Sequence, residues 1–368
     1  MTDKTPCLEQ ALSHLFASPD LYVQDVNWQS GIARCLHMSR ESYSASTFLD
    51  HRTIASDDRV ETVPIAELMR ACREQAPVPK PLRIIAHTAL CGSTLLCRCL
   101  DLPGLCLPYK EPALLHNLSG IWQLGLQQKL QARLQAAQPS IMELAVALNS
   151  RSYSLAEKPV IKLTDSCTSL LPTLLAHYRD SRMLLLYSDL ETFLVAMLRS
   201  PDRREYARNM LNRARLDLSA VGMARIWPDE RAGEPPGELP GQLLSDGRAV
   251  ALIWLSLMYP FLRLLLSVPQ NVRSLRSDVF FAAPLQTLDS LDRFFALDIG
   301  EDRLQAHLDT GVLSQHAKDA ANPFDIEQRK ARDADAASRF GEEIADAVQW
   351  VETITVDAPI PAPLPGAL

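Results

Sequence analysis

The sequence predicts an α/β fold, a three-layer arrangement in which a five-stranded, mainly parallel sheet carries helices on both faces. Three observations lead there. Short apolar runs of strand length alternate with longer stretches whose apolar residues recur at helical spacing, the pattern of repeated βαβ units. The run Leu82–Ala86 passes into such a stretch, Leu95, Leu96, Cys99 and Leu100, through the tight polar turn Cys91-Gly92-Ser93-Thr94. Polar and charged residues collect directly after the other apolar runs, at the strand ends where open parallel sheets bind ligands.

In chain order, residues 1–80 read as an α/β leader region. Leu8, Ala11, Leu12, Leu15 and Phe16 form one helical face. The stretch Arg40–Val63 mixes aromatic, hydroxyl and charged residues, and its most site-like portion is Thr47-Phe48-Leu49-Asp50 with His51-Arg52. Asp50 and Arg52 make either a structural ion pair or part of a substrate wall. Pro64–Cys72 is helical, with proline at a permitted early position. Pro77-Val78-Pro79-Lys80-Pro81 is a stiff connector into a domain expected over residues 81–356.

In that domain the first strand runs through Leu82, Ile84, Ile85 and Ala86 to His87, and Leu102-Pro103-Gly104 breaks the helix that follows the turn. A second strand begins at Leu105 and ends at Pro108-Tyr109-Lys110-Glu111-Pro112. Residues 113–150 are helical, with breaks expected near Gly120 and Pro139. Pro159–Leu163 is a third strand, followed by the polar cluster Thr164–Ser169 and a helix to Tyr178. Arg182–Tyr187 is the most apolar strand, and Ser188-Asp189-Leu190-Glu191 opens the helix Thr192–Arg199. Residues 201–226 are helical, with Arg203, Arg204, Arg208, Arg213 and Arg215 as a solvated face. Residues 228–247 are rich in proline and glycine and read as a flexible loop. An apolar helix over 249–268 precedes a fifth strand, Val272–Leu275, and an amphipathic helix, Leu285–Leu297. Polar helices continue to Ile354, and the Pro-rich tail 357–368 is expected to be disordered.

Composition bounds the function. The chain has 368 residues, 47% hydrophobic and 22% charged, enough for a sizeable globular core. A net charge of −7 argues against a nucleic-acid surface. Eight cysteines form no secreted-type framework, and Cys91, Cys97, Cys99 and Cys106 cluster around the turn and its helix, as suits free thiols in a reducing cytoplasm. The opening Met-Thr-Asp-Lys-Thr-Pro-Cys lacks the basic and apolar regions of a signal peptide. Ala249–Val268 has the length of a membrane span, but Pro260 and Arg263 interrupt it, so a buried helix and no membrane insertion are expected.

The turn carries the chemistry. A strand feeding a helix through Gly-Ser-Thr converges backbone N–H groups on one point, a seat for phosphate or sulfate. The alternative is a structural turn with Gly92 for backbone freedom and Ser93 as a cap. The Walker pattern is incomplete: His87 stands at its first glycine and Ser93 at its lysine. His87 is either a general base or a core histidine. Lys110 and Glu111 are an anion clamp and a base, or a local ion pair. Lys162, inside an apolar strand, needs a partner for its charge, unless it snorkels to the sheet edge. Asp165 either pairs with Lys162 or caps the next helix. Cys91 does not head a nucleophilic-cysteine phosphatase motif, because Arg98 falls one residue late, and Cys97-x-Cys99 lacks zinc-knuckle spacing.

In this order the motifs resemble the bacterial branch of the sulfotransferase family, a P-loop-type fold, over roughly residues 80–350. The matching segments are strand–Cys91-Gly92-Ser93-Thr94-Leu95–helix, Lys110-Glu111-Pro112, strand 183–187 with Ser188-Asp189-Leu190-Glu191-Thr192, Val272–Asp278 with Leu297-Asp298-Ile299-Gly300, and Gln315-His316-Ala317-Lys318. The resemblance implies a donor, 3′-phosphoadenosine-5′-phosphosulfate, bound by Cys91, Gly92, Ser93, Thr94 and Leu95 with Lys162 and Ser188. It implies transfer of the sulfuryl group to a hydroxyl or amine of a small molecule, with His87, Lys110 and Glu111 as catalytic candidates and no metal. Leu90 and Ser188 stand where the family places donor-binding cations, and Ala196 where it places a serine. Those departures keep open a non-catalytic member that binds a nucleotide, an anionic metabolite or a protein. Phosphoryl transfer on the same scaffold lacks the Walker lysine and an obvious Mg²⁺-binding aspartate.

Overall fold

A computed structural model describes residues 12–57, 59–75, 81–126, 132–227, 244–314 and 326–368. Among these, the sequence folds into eight strands in two sheets. Strands β1 (Leu21–Asn27), β2 (Ile32–His37) and β3 (Val60–Pro64) make an antiparallel meander in sequence order. The β1–β2 turn is closed by the Asn27 carboxamide, which accepts the N–H groups of Gln29 and Ser30, and by Gly31 at φ +71°. The strands had no clear alternation to announce them: a bulge between Val23 and Asp25 shifts the register, and Gln24 is fully buried.

The second sheet holds β4 (Arg83–His87), β5 (Cys106–Lys110), β6 (Lys158–Lys162), β7 (Arg182–Tyr187) and β8 (Val272–Arg276), in the order β5-β6-β4-β7-β8. The pairs β4/β6 and β5/β6 are parallel, with Ile85 beside Lys162 and Lys110 beside Lys162. The chain leaves β4 toward the edge strand β5, whereas it leaves β6 in the opposite direction, across β4, to β7. The carboxyl ends of β4 and β6 therefore flank a topological switch point, where open α/β sheets form a crevice.

The chain divides into two compact units. The first comprises Met1–Ala86, Ser93–Met183 and Ala283–Asn322. It contains the antiparallel sheet and the helices Arg40–Ala45, Ile65–Gln75, Ser93–Cys99 and Ala113–Leu126. The second comprises His87–Gly92, Leu184–Ala282 and Pro323–Leu368. Its centre is the helix Asp246–Ser267, packed by Leu190–Leu198, Pro201–Ala220 and Gly341–Ile354. That helix is long and apolar enough to cross a bilayer, but 83% of its most apolar window is buried within the chain.

Several expectations change. The tail 357–368 is held in place, not loose: Tyr187 Oη accepts the Leu364 N–H, and Ser274 exchanges backbone hydrogen bonds with Gly366 and Leu368. The tail thereby covers part of β8, whose unpaired backbone groups supply the ordering energy. Pro139 breaks nothing, because Ala132–Leu148 is continuous, and Gly120 lies inside Ala113–Leu126. The arginine face is partly spent on the protein: Arg203 donates to the Ala196 carbonyl, and Arg204 and Arg208 pair with Asp246. Leu12, Leu15 and Phe16 are buried in a helix over 12–17, while Leu8 and Ala11 lie outside the described residues. So do most of the 228–247 loop, the proline connector before Pro81 and the segment Gln315-His316-Ala317-Lys318.

Candidate functional site

Lys162 ends β6 with its side chain almost wholly buried. Its ammonium donates to Thr94 Oγ1 at 3.0 Å and to the Glu111 carboxylate at 2.5 Å, and it lies 5.1 Å from the centre of the Phe48 ring. A lysine has three N–H donors. Two are spent here, and the third has no protein acceptor among the described residues. Thr94 reaches the ammonium from the first turn of the Ser93–Cys99 helix. Glu111 reaches it because its backbone turns left-handed directly after β5, at φ +59°, with its N–H bonded to the Lys162 carbonyl. That conformation costs a non-glycine residue about 1–2 kcal/mol. The Glu111 side chain remains 18% exposed, so the carboxylate faces both the ammonium and solvent.

Phe48 carries a second cation. The Arg52 guanidinium carbon lies 4.3 Å from the ring centre, and Arg52 Nε and Nη2 are held by Asp50. Burial pushes the Asp50 carboxyl up, but the hydrogen bonds and charge of Arg52 outweigh it and hold the group below its ordinary value. The pair is thus structural, and its Arg52 member also borders a cavity.

Lys110 is Lys162's register partner, but it enters a different cluster. Its ammonium donates to the Ser44 carbonyl at 3.0 Å and lies 3.5 Å from Asp101. Asp101 also pairs with Arg40 at 2.7 Å, and Arg40 pairs with Glu157 at 2.7 Å. Two cations and two anions balance, nearly sealed from water. Burial pushes the Lys110 ammonium below its ordinary value, and Asp101 pulls it part of the way back. The cluster clamps the Arg40–Ala45 helix to the end of β5; it leaves Lys110 no free approach to a substrate.

The remaining candidates fall in the second unit or in the core. His87 is buried, and its Nδ1 accepts the Ala89 N–H at 2.9 Å, which puts the proton of the neutral ring on Nε2. The Cys91 thiol is buried and directed at the Leu186 carbonyl, 3.7 Å away. Ala89, Leu90 and Gly92 all have positive φ, and a Cβ on Gly92 would stand 2.8 Å from the Phe281 ring. Only glycine lets that ring close over the turn. Ser188 is wired into its surroundings: its hydroxyl meets Ser277, its N–H donates to Thr88, and its carbonyl accepts from Trp254. Leu95 is a core residue and Ser93 is buried. Burial pushes the Cys97 and Cys99 thiols up to about 12 and the Cys106 thiol well above its ordinary value, so none is a ready nucleophile. No group of metal-ligating side chains occurs among the described residues.

Of the predicted site residues, the fold brings together Thr94, Glu111 and Lys162. It adds Phe48, which the sequence marked only as lying in a site-like stretch. The Arg40–Asp101–Glu157 network was not foreseen; its members are distant in sequence and carry no motif.

No protein-family model and no curated protein matches the chain. Among solved structures, it is similar to the sulfotransferase from Alicyclobacillus acidocaldarius, with 15% identity over 75% of this chain and 96% of that one, at a TM-score of 0.33. It is also similar to the sulfotransferase domain from the curacin biosynthetic pathway, with 15% identity over 72% of this chain and 99% of that one, at a TM-score of 0.31. Similarity of this degree leaves the assignment of activity to the side chains.

Proposed function

We propose that the chain is a sulfuryl transferase that uses 3′-phosphoadenosine-5′-phosphosulfate as donor and a hydroxyl or amine of a small molecule as acceptor. The observation that carries this reading is the Lys162 cluster: a buried ammonium with one unspent donor, a threonine hydroxyl and a half-open carboxylate, beside the β4/β6 switch point. Transfer between charged oxygens is catalysed mainly by positioning and charge neutralisation. Lys162 and Thr94 would donate to the phosphate oxygen that gains charge as its bond to sulfur breaks. Glu111 would accept the acceptor's proton as the new sulfur–oxygen or sulfur–nitrogen bond forms, within the range of general-base work. Lys110 has no part in this scheme, because its ammonium already serves the fold, and His87 is given none, because its Nδ1 is held by the Ala89 N–H. The seven cysteines among the described residues are free and buried, which is compatible with a cytoplasmic setting.

A second reading is a non-catalytic binder of an anionic ligand. It is favoured by the Phe281 ring over Gly92, by the use of Ser188 in internal hydrogen bonds and by the neutralisation of Lys162 by Glu111. Thermal stabilisation by 3′-phosphoadenosine-5′-phosphate, against ATP and sulfate, tests both. The transferase reading expects a shift with the bisphosphate that Lys162→Ala removes, and turnover on a panel of phenols and amines. A shift without turnover supports the binder. No shift at millimolar bisphosphate removes the donor from consideration.

A further inference from the structure

The segment from Ser42 to Ser56, within the first unit, wraps a cavity of about 530 Å³, in the size range of small-molecule sites. Its wall combines the hydroxyls of Ser42, Ser46 and Thr47, the Phe48 ring, Ile54 and Arg52. Ile54 is 75% exposed, an apolar side chain left at the rim.

Loops are ordinarily the mobile parts of a fold, but this one is pinned from beneath. Tyr22 donates to the Leu49 carbonyl, and Gln24 Nε2 donates to the carbonyls of Asp50 and Thr53 at 2.8 and 2.7 Å. Lys110 donates to Ser44, and the Leu49 N–H bonds the Lys110 carbonyl at 2.7 Å. Gln24 and Lys110 are wholly buried. Burying a carboxamide and an ammonium is costly; here both are committed to holding the carbonyls of one loop in fixed positions. A preorganised wall is what a binding site gains from such an arrangement.

The cavity also has a sign. Among the described residues Arg52 is the only charged side chain that lines it, and Asp50, which pairs with it, lies outside the lining. Asp50 occupies Nε and Nη2 of the guanidinium, and Nη1 has no protein acceptor among the described residues. Among the described residues no carboxylate lines the cavity to receive an ammonium. Phe48 joins this cavity to Lys162, with Arg52 and Lys162 both against its ring.

We infer that the Ser42–Ser56 cavity binds the acceptor, and that the acceptor is an alcohol carrying an anionic group such as a carboxylate, not an amine. The inference rests on the transfer reading for the role of the ligand; the charge preference of the cavity stands apart from it. Three probes of one shape and different charge test it on the full chain without nucleotide: 4-(hydroxymethyl)benzoate, 1,4-benzenedimethanol and 4-(hydroxymethyl)benzylamine, titrated by ligand-observed NMR. The benzoate is expected to bind at least about 10-fold more tightly than the amine, the worth of one charge-assisted contact. Arg52→Gln should bring the three affinities within about 2-fold of one another. Ala55→Trp, which fills the cavity, should abolish binding of all three; if that variant does not fold, Arg52→Gln still decides. Equal binding of the three probes, a preference for the amine, or a charge preference that survives Arg52→Gln overturns the inference, as does unchanged binding to folded Ala55→Trp. Loss of the bisphosphate shift alone sinks the transfer reading and leaves the cavity's charge preference intact.

Discussion

Lys162 and Lys110 sit side by side at the ends of neighbouring parallel strands, and neither ammonium is accessible from bulk water. Their surroundings differ in one respect. Around Lys110 the partners are sealed: Asp101 serves both Lys110 and Arg40, Glu157 completes the balance, a second donor goes to the Ser44 carbonyl of the Arg40–Ala45 helix, and both carboxylates are under a tenth exposed. Around Lys162 the partners stay open: a threonine hydroxyl, a carboxylate with one side toward solvent, and an aromatic ring. Burial of a cation is common to both, so burial alone does not mark a site. The two differ in the exposure of the partner: the Glu111 side chain is 18% exposed where Asp101 is 7%, so under the transfer reading a ligand meets the Lys162 pair through Glu111.

The contrast can be broken by removing the acid on each side. Under the proposed transfer reading, Glu111→Gln should lower turnover by about 10²–10⁴-fold, the usual contribution of a positioned base, while the bisphosphate thermal shift remains. A variant that retains full turnover would remove Glu111 from the chemistry. Asp101→Ala should act the other way. It leaves Lys110 without its anion while Arg40 keeps Glu157, and breaking a buried pair in this way costs about 3–5 kcal/mol. Urea denaturation should show that loss; a change under about 1 kcal/mol would mean that water has replaced the carboxylate.

Smaller effects sharpen the comparison. Phe48→Leu removes a ring shared by two cations and should cost about 1 kcal/mol by the same measurement, with no counterpart on the Lys110 side. Lys110→Met replaces a clamped ammonium by an apolar chain of similar length and should change stability by about 1 kcal/mol or less at neutral pH, since Asp101 keeps Arg40. Its pH dependence has a definite sign. Lys110 titrates below its ordinary value in the folded chain, so between the folded and unfolded pKa the unfolded chain holds more protons, and wild-type stability from this group rises with pH. The Lys110→Met variant lacks that gain. The stability difference should therefore move in favour of the wild type between pH 7 and pH 10, and movement in the opposite direction would refute the burial of this ammonium.

The main sheet was legible because its strands are nearly continuous apolar runs: Arg182–Tyr187 and the stretch ending at His87 are recognisable without any partner. The antiparallel meander was not. Its strands are short, one is bulged, and a buried glutamine interrupts the pattern where the side chain turns inward to hold a loop. The tail 357–368 misled for a related reason. Proline-rich composition marks a chain that does not fold by itself, but it says nothing of an edge strand elsewhere that will accept its backbone.

The site shows the same division. Local sequence identified Lys162 as a charge in need of a partner and placed Thr94 and Glu111 at strand and helix ends, since those inferences depend only on residue type and position along the chain. It also placed His87, Lys110 and Ser188 at strand ends, and there it had no means of knowing that Ala89 would hold the His87 Nδ1, Asp101 the Lys110 ammonium and Ser277 the Ser188 hydroxyl. Fold class followed from the periodicity of apolar residues, a short-range property. Which partners each buried cation met was decided by residues up to 117 positions away, because electrostatic pairing in a desolvated interior depends on distance in space, which only the folded chain defines.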